Sequence, residues 1–310
     1  MIKRMLTVLL LIVFAALLAL PVVAQDDEED GLDMELVDYI NEASDGLANF
    51  DSYTISGTLT IDQEITAGEI TIPSTIVQTI TADIVQSDGV TVALDAEISQ
   101  DIAMGMGMGE GSFVLDMIFV DGAVYVQARD FAGLMATAGL SEGWQQIGIE
   151  GSENNPLLDA FGDPDALLAS FNEQLTYPLN EETILSLEER RELTIDDDPV
   201  RRFAIELDAQ SVVDNGGLDS VLSNLEDSAS QLGMTSDELI EQLLEGATLG
   251  IVVHISTETD RMRRIDSEVV FNSELMAMGE ALTLSQTAAG SFVYSNFDEE
   301  FGITPPELDS

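Results

Sequence analysis

The sequence predicts an α+β protein built on a broad antiparallel sheet, with helices to cover its apolar side. Two observations carry this expectation. Between Leu249 and Phe271, Ile251, Val253 and Ile255 recur at every second position, a polar turn follows from Ser256 to Asp260, and Ile265, Val269 and Phe271 return. That is the pattern of a β-hairpin with one buried and one wet face. Several other segments repeat the alternation, and stretches of helical spacing lie between them.

In chain order, Lys3 and Arg4 precede an apolar run from Met5 to Leu20, and Pro21, Val22 and Ala24 form a small-residue cleavage signal before Gln25. Residues 1–24 therefore read as an export signal cleaved after Ala24. About 20 apolar residues span a bilayer, so an uncleaved membrane anchor is the alternative. Residues 25–32 form an acidic tail. Leu32, Leu36, Ile40 and Leu47 keep helical spacing to about Ala48.

Tyr53 to Ile61 alternates with threonines and predicts a strand, followed by a loop around Gly68 and Pro73. Ile76 to Val85 and Val90 to Ile98 predict two more strands about an Asp88-Gly89 turn. Met104, Met106 and Met108 are each followed by glycine, which predicts a mobile connection or flap rather than a helix or strand. Phe113 to Val120 and Ala123 to Ala128 predict a hairpin about Asp121-Gly122. Short helices are expected over 130–139 and 166–174, the second capped by Asp163 with Pro164 in its first turn. Ile184 to Ile195 and Val200 to Leu207 predict a hairpin joined by Asp196 to Pro199. Beyond Gly216-Gly217, a helix is expected from Leu218 to Leu232, and Thr235 with Glu238 resembles a capping box for another helix ending at Leu244. A last strand, Ala281 to Tyr294, precedes an irregular tail.

Composition narrows the functions available. The chain has no cysteine, which excludes disulfides, thiol catalysis, cysteine zinc sites and lipidation of a cysteine at the cleavage point. Its net charge is −49, and loss of Lys3 and Arg4 with the signal leaves eight arginines against 59 carboxylates, a net −51. Such a surface repels nucleic acid and anionic membranes. It suits salty water, where screening relieves self-repulsion, as well as it suits general solubility. Hydrophobic residues make up 45% of the chain, which excludes a disordered acidic polymer.

Groups able to do chemistry are sparse. The single histidine, His254, lies on the alternate face of the Leu249 to Phe271 hairpin, with no cysteine and no serine elbow to act with, and reads as a satisfied surface or sheet histidine. Among 59 carboxylates an adjacent pair carries no information about glycosidase chemistry. The run Asp196 to Asp198 lacks the spacing of a calcium loop and reads as a turn. Three methionine sulfurs could attract Cu(I), but no histidine or cysteine accompanies them, so no metal and no cofactor is expected. Seven of the eight arginines fall in two hairpins. They either form a positive patch for an anionic head group or pair across strands with Glu188, Glu192, Glu206, Asp266 and Glu268.

The phrases "YTISGTLT", "GAVYVQARD" followed by "GWQQI", "PVRRFAIELDA", "LGIVVHISTETDRMRRIDSEVVF" and "FVYSNFDEEFGITPPE", in this order with a leading helix, resemble the exported LolA-like and LppX/LprG-like family of lipid or lipoprotein carriers. The resemblance covers residues 33–306 as one domain, with 307–310 a short tail. It implies a curved antiparallel sheet, an incomplete barrel, with helices on its concave face around an apolar cavity for acyl chains. Many such proteins carry a lipidated cysteine, which this chain lacks. The expected function is that of an exported, non-enzymatic binder or carrier of a lipid, a lipoprotein acyl chain or another hydrophobic ligand, in the envelope or secreted, not lipid-anchored. Alternation nominates Ile55, Leu59, Leu94, Phe113, Leu115, Phe203, Ile205, Ile251 and Val253 as inward, ligand-lining residues. The competing reading is a structural or interaction protein of the cell envelope, contacting envelope proteins, with the same fold and a packed interior.

Overall fold

The computed structural model describes residues 32–67, 70–86, 91–102, 111–120, 123–129, 143–147, 179, 182–214, 234–245, 247–277 and 280–308. Helix α1, Met34–Asp45, starts at Asp33, whose carboxylate accepts from the Glu35 N–H at 3.1 Å, and runs into a 3-10 turn, Gly46–Asn49. Six strands follow: β1 Ser52–Ala67, β2 Ile70–Val85, β3 Thr91–Ile102, β4 Gly111–Val120, β5 Ala123–Arg129 and β6 Gln145–Ile147. Then come β7 Ile184–Ile195, β8 Asp198–Leu207, helix α2 Ala209–Asp214, helix α3 Ser236–Leu244, β9 Thr248–Ser256, β10 Met262–Ala277 and β11 Glu280–Ser295.

All eleven strands belong to one antiparallel sheet in the order β6-β5-β4-β3-β2-β1-β11-β10-β9-β8-β7. It consists of two meanders that meet at its centre, where β1 pairs with β11 from Thr54↔Ser295 to Ala67↔Leu282. The edge strands β6 and β7 do not pair, so the sheet is not closed into a barrel.

Local chemistry explains the strand ends. Asp196 and Asp197 both adopt positive φ, 49° and 67°, which is what a two-residue hairpin turn with the sheet's own twist requires. Asp198 and Pro199 consequently lie in β8, not in the turn as the sequence suggested. Pro73 likewise lies inside β2, opposite Glu64, where a loop was expected. Thr235 and Glu238 form the expected capping box, with the Thr235 N–H donating to Glu238 Oε2 at 2.8 Å and the Glu238 N–H to Thr235 Oγ1 at 3.3 Å. Helix α2 was not anticipated: six residues are too few to show a period, though Asp208 marks its start by accepting from the Ser211 N–H at 2.8 Å. The segments 130–139, 166–174 and 218–232, expected to be helical, lie outside the described residues, as does the methionine segment with Met104, Met106 and Met108.

The core gathers where α1 meets the sheet. Val37, Ile40, Ala43 and Leu47 bury against Tyr53, Ile55, Phe203, Ile205, Ile251 and Val253. The Tyr39 ring meets Phe203 edge-on at 5.8 Å. Each such side chain contributes about 1.5–3 kcal/mol on burial, so this junction dominates the stability of the described residues.

Candidate functional site

The strand registers place every residue nominated from alternation on one face. Reading across, Phe203 faces Val253, Val253 faces Ile265, Ile265 faces Phe292, Phe292 faces Gly57, Gly57 faces Ile80, Ile80 faces Ala96 and Ala96 faces Leu115. One row away the series is Ile205, Ile251, Ser267, Gly290, Leu59, Gln78, Ile98 and Phe113. Ile55, Ala82, Leu94 and Met117 form a third row. This face therefore continues over eight of the eleven strands, from β8 to β4, without a change of side. At about 4.8 Å per strand it is close to 40 Å wide.

Helices α1 and α3 both lie on this face. Helix α1 sits over Phe203 and β9, and α3 packs Leu239 against Leu282 of β11 while its Leu243 carbonyl accepts from Ser273 Oγ of β10 at 3.2 Å. A helix is only about 10 Å across, so cover of this kind is local. Burial follows it. Ile55, Leu59, Phe203, Ile205, Ile251 and Val253 are packed core, with Phe203 and Ile205 at 0% exposure. On the other wing, Val92 and Leu94 of β3 and Met117 and Phe119 of β4 are only half-buried. Phe113 and Leu115 occupy register positions on β4 in that wing; their side chains lie outside the described residues.

Polar side chains that alternation did not flag interrupt the buried face, at Gln78 and Ser267 in the second row and in a cluster beyond it. Gln63 and Gln286 are cross-strand partners at 4% and 1% exposure, and Gln63 Nε2 donates to Gln286 Oε1 at 3.1 Å. Gln63 Oε1, Gln286 Nε2 and the neighbouring Ser74 Oγ are buried without a hydrogen-bond partner. A buried polar atom left unpaired costs about 1–3 kcal/mol, so this patch is a polar foothold kept at a price within an apolar surface. The sequence signal available was the appearance of glutamine at positions in phase with isoleucine.

The opposite face is wet and threonine-rich on β1 and β2, and charged on β7 to β10. Arg190 lies 2.8 Å from Glu188 and Arg264 lies 2.6 Å from Asp266, pairs made two residues along one strand and not across strands as expected. On the apolar side, beside α1, Arg201 holds Glu189 through two hydrogen bonds of 2.8 and 3.0 Å, lowering the glutamate's pKa, and its guanidinium also stacks over Tyr39 and Phe203. Burial, aided by the hydrogen bond to Asp260, pushes the Tyr39 hydroxyl up to about 12. Arg261 is held by cation–π stacking on Phe50 and Phe297, at 4.6 and 5.5 Å, in place of the ion pairs expected beside it.

His254 is buried rather than superficial, at 1% exposure, and its Nε2–H donates to Asp266 Oδ2 at 2.9 Å. Burial works to raise the Asp266 pKa, but hydrogen bonds from His254, Arg264 and Ser291 overcome it and hold the carboxylate ionised. Asp198 is occupied likewise: its Oδ1 accepts from Ser256 Oγ at 2.8 Å and its Oδ2 faces Arg263 Nε at 3.4 Å. Among the described residues no cluster of His, Asp or Glu is arranged to hold a metal ion. No described helix is long and apolar enough to cross a membrane.

No family model matches the chain, and no curated protein matches it. Among solved structures it is similar to the lipoprotein LppX of Mycobacterium tuberculosis, with 11% identity over 88% of this chain and 100% of that one, at a TM-score of 0.39. It is also similar to LprF from Mycobacterium bovis, with 11% identity over 89% of this chain and 99% of that one, at a TM-score of 0.42.

Proposed function

We propose that the chain is an exported, non-enzymatic binding or carrier protein for a lipid, an acyl chain or another hydrophobic ligand, held against the β3–β4 wing of the apolar face. The observation that carries the reading is unequal burial of one continuous surface: core under α1, half-buried at Val92, Leu94, Met117 and Phe119. An acyl chain laid along that wing would gain about 0.8 kcal/mol for each methylene withdrawn from water. The unpaired amide and hydroxyl atoms of Gln63, Gln286 and Ser74 supply a neutral partner for an ester or hydroxyl at the ligand's polar end. The export signal read at residues 1–24 supports action outside the cytoplasm.

A second reading, an envelope interaction protein with a packed interior, is favoured by the full burial of Phe203, Ile205, Ile251 and Val253. Delipidated mature protein titrated with a fluorescent fatty acid separates the two. Saturable binding is expected, weakened about tenfold or more by Leu94→Asp with Met117→Asp while the thermal midpoint holds, a loss of at least ~1.4 kcal/mol. Absence of both fatty-acid binding and co-purifying lipid in native mass spectrometry overturns the carrier reading and leaves the second.

A further inference from the structure

We propose that the outer face of the sheet carries a binding site for a tetrahedral oxyanion, a phosphate or sulfate group, centred on Arg202. Four adjacent strands bring basic side chains into direct cross-strand register there: Arg190↔Arg202 between β7 and β8, Arg202↔His254 between β8 and β9, and His254↔Arg264 between β9 and β10. Side chains so placed are about 4.5–5.5 Å apart at Cβ, and like charges directly opposite one another are unfavourable. With 59 carboxylates available to eight mature arginines, a row of this kind is the arrangement least expected of a surface organised only by internal ion pairs.

The two ends of the row are neutralised and the middle is not. Arg190 has Glu188, and Arg264 and His254 share Asp266. Arg202 has no carboxylate partner among the described residues, and its Nε is buried without an acceptor. Its neighbours along β8 on the same face are Val200 and Ala204, so no acid is supplied from its own strand either. Arg202 is nonetheless part-exposed as a residue. A guanidinium presents a fork of N–H donors that matches two oxygens of an oxyanion, and a tetrahedral group keeps further oxygens for a neighbouring arginine. The protein's large negative charge does not forbid this, because at physiological ionic strength screening acts within about 8 Å and the local row sets the potential at Arg202. The same negative charge repels an extended anionic membrane, so the ligand is a single oxyanion, free or borne on one molecule. The site lies on the face opposite the apolar surface and does not depend on the carrier reading.

The test uses the mature chain and inorganic phosphate as probe, with sodium chloride at matched ionic strength as control. Phosphate is expected to raise the thermal midpoint where chloride does not and to broaden the ³¹P resonance on binding. Both effects disappear in Arg202→Gln and weaken in Arg202→Lys, which keeps the charge but loses the fork. A short-chain phosphatidic acid below its micelle concentration distinguishes the source: tighter binding than inorganic phosphate identifies a head group, equal or weaker binding a free oxyanion. No phosphate-specific shift, or a shift unchanged by Arg202→Gln, overturns the site. If Arg202→Gln does not fold, full retention of the phosphate effect in Arg202→Lys overturns it instead.

Discussion

Phe292 lies directly across the β1–β11 pair from Gly57, and its ring fills the space that a side chain at Gly57 would need. A Cβ on Gly57 would come within 2.5 Å of Phe292 Cδ1 and 2.2 Å of the Ser291 carbonyl oxygen. One on Gly290 would meet Ser267 Oγ at 2.2 Å and Phe292 Cε2 at 2.9 Å. The ring thus covers two glycines in the middle of the apolar face, where the alternation would otherwise leave a gap. Gly57→Ala is expected to destabilise the fold by about 1–3 kcal/mol, the usual cost of overpacking, read as a lower urea midpoint at constant slope. Adding Phe292→Ala should not restore the midpoint, because the Ser291 carbonyl still blocks the new methyl group. An unchanged midpoint in the single variant would show that the two strands are not so closely apposed.

The paired amides Gln63 and Gln286 invite a double-mutant cycle. Either one replaced by Leu leaves the other buried without its hydrogen bond, at a cost of about 1–3 kcal/mol, whereas replacing both removes the unpaired atoms together and should be nearly neutral or stabilising. Thermal melts of the four proteins give the coupling. Additive losses would mean that the amides do not act as a pair.

Much of this architecture is legible in the residues. The period-two runs announce the strands, and the Thr235 to Glu238 box announces α3, because each is a local rule. Strand lengths were harder to read: β10 runs on through Asn272, Ser273 and Glu274 to Ala277, where polar residues on both faces hide the alternation. Ser273, though buried, is satisfied by α3, a partner no local pattern reveals. Alternation treats Leu94 and Phe203 alike and could not separate half-buried Leu94 from fully buried Phe203, since that difference depends on where α1 docks. The row from Arg190 to Arg264 is equally invisible in sequence, because it exists only through the register of four strands.

Asp266 sets a pH dependence of known sign. Its pKa lies below the usual carboxylate range in the folded protein, so its contribution is complete above the unfolded value of about 3.9 and is lost as pH falls through the folded value. Asp266→Asn should cost about 1.5–3 kcal/mol near neutrality, the range for a hydrogen bond to a charged group, and toward the lower end because the carboxylate is partly exposed. The gap between the two proteins should narrow as pH falls below the unfolded value and close once the carboxylate is protonated in the folded protein. Comparing them at each pH cancels the relief of carboxylate repulsion that both share on acidification. A gap that stays constant down to pH 2 would show that the carboxylate's charge is irrelevant to its role.

Salt should stabilise this protein, although it weakens the ion pairs just described. Exposed pairs such as Arg190 with Glu188 contribute about 0–1 kcal/mol each, and scarcity of arginine limits their number. Repulsion among 59 carboxylates at a net charge of −49 acts over the whole surface and is relieved as the screening length falls from about 30 Å at 0.01 M to about 10 Å at 0.1 M. Repulsion therefore outweighs pairing. The thermal midpoint is expected to rise with sodium chloride at pH 7, most steeply below about 0.1 M, and to rise far less in acid, where protonation lowers the net charge. A midpoint that falls with added salt at pH 7 would mean that ion pairs, not net charge, govern the electrostatics of this surface.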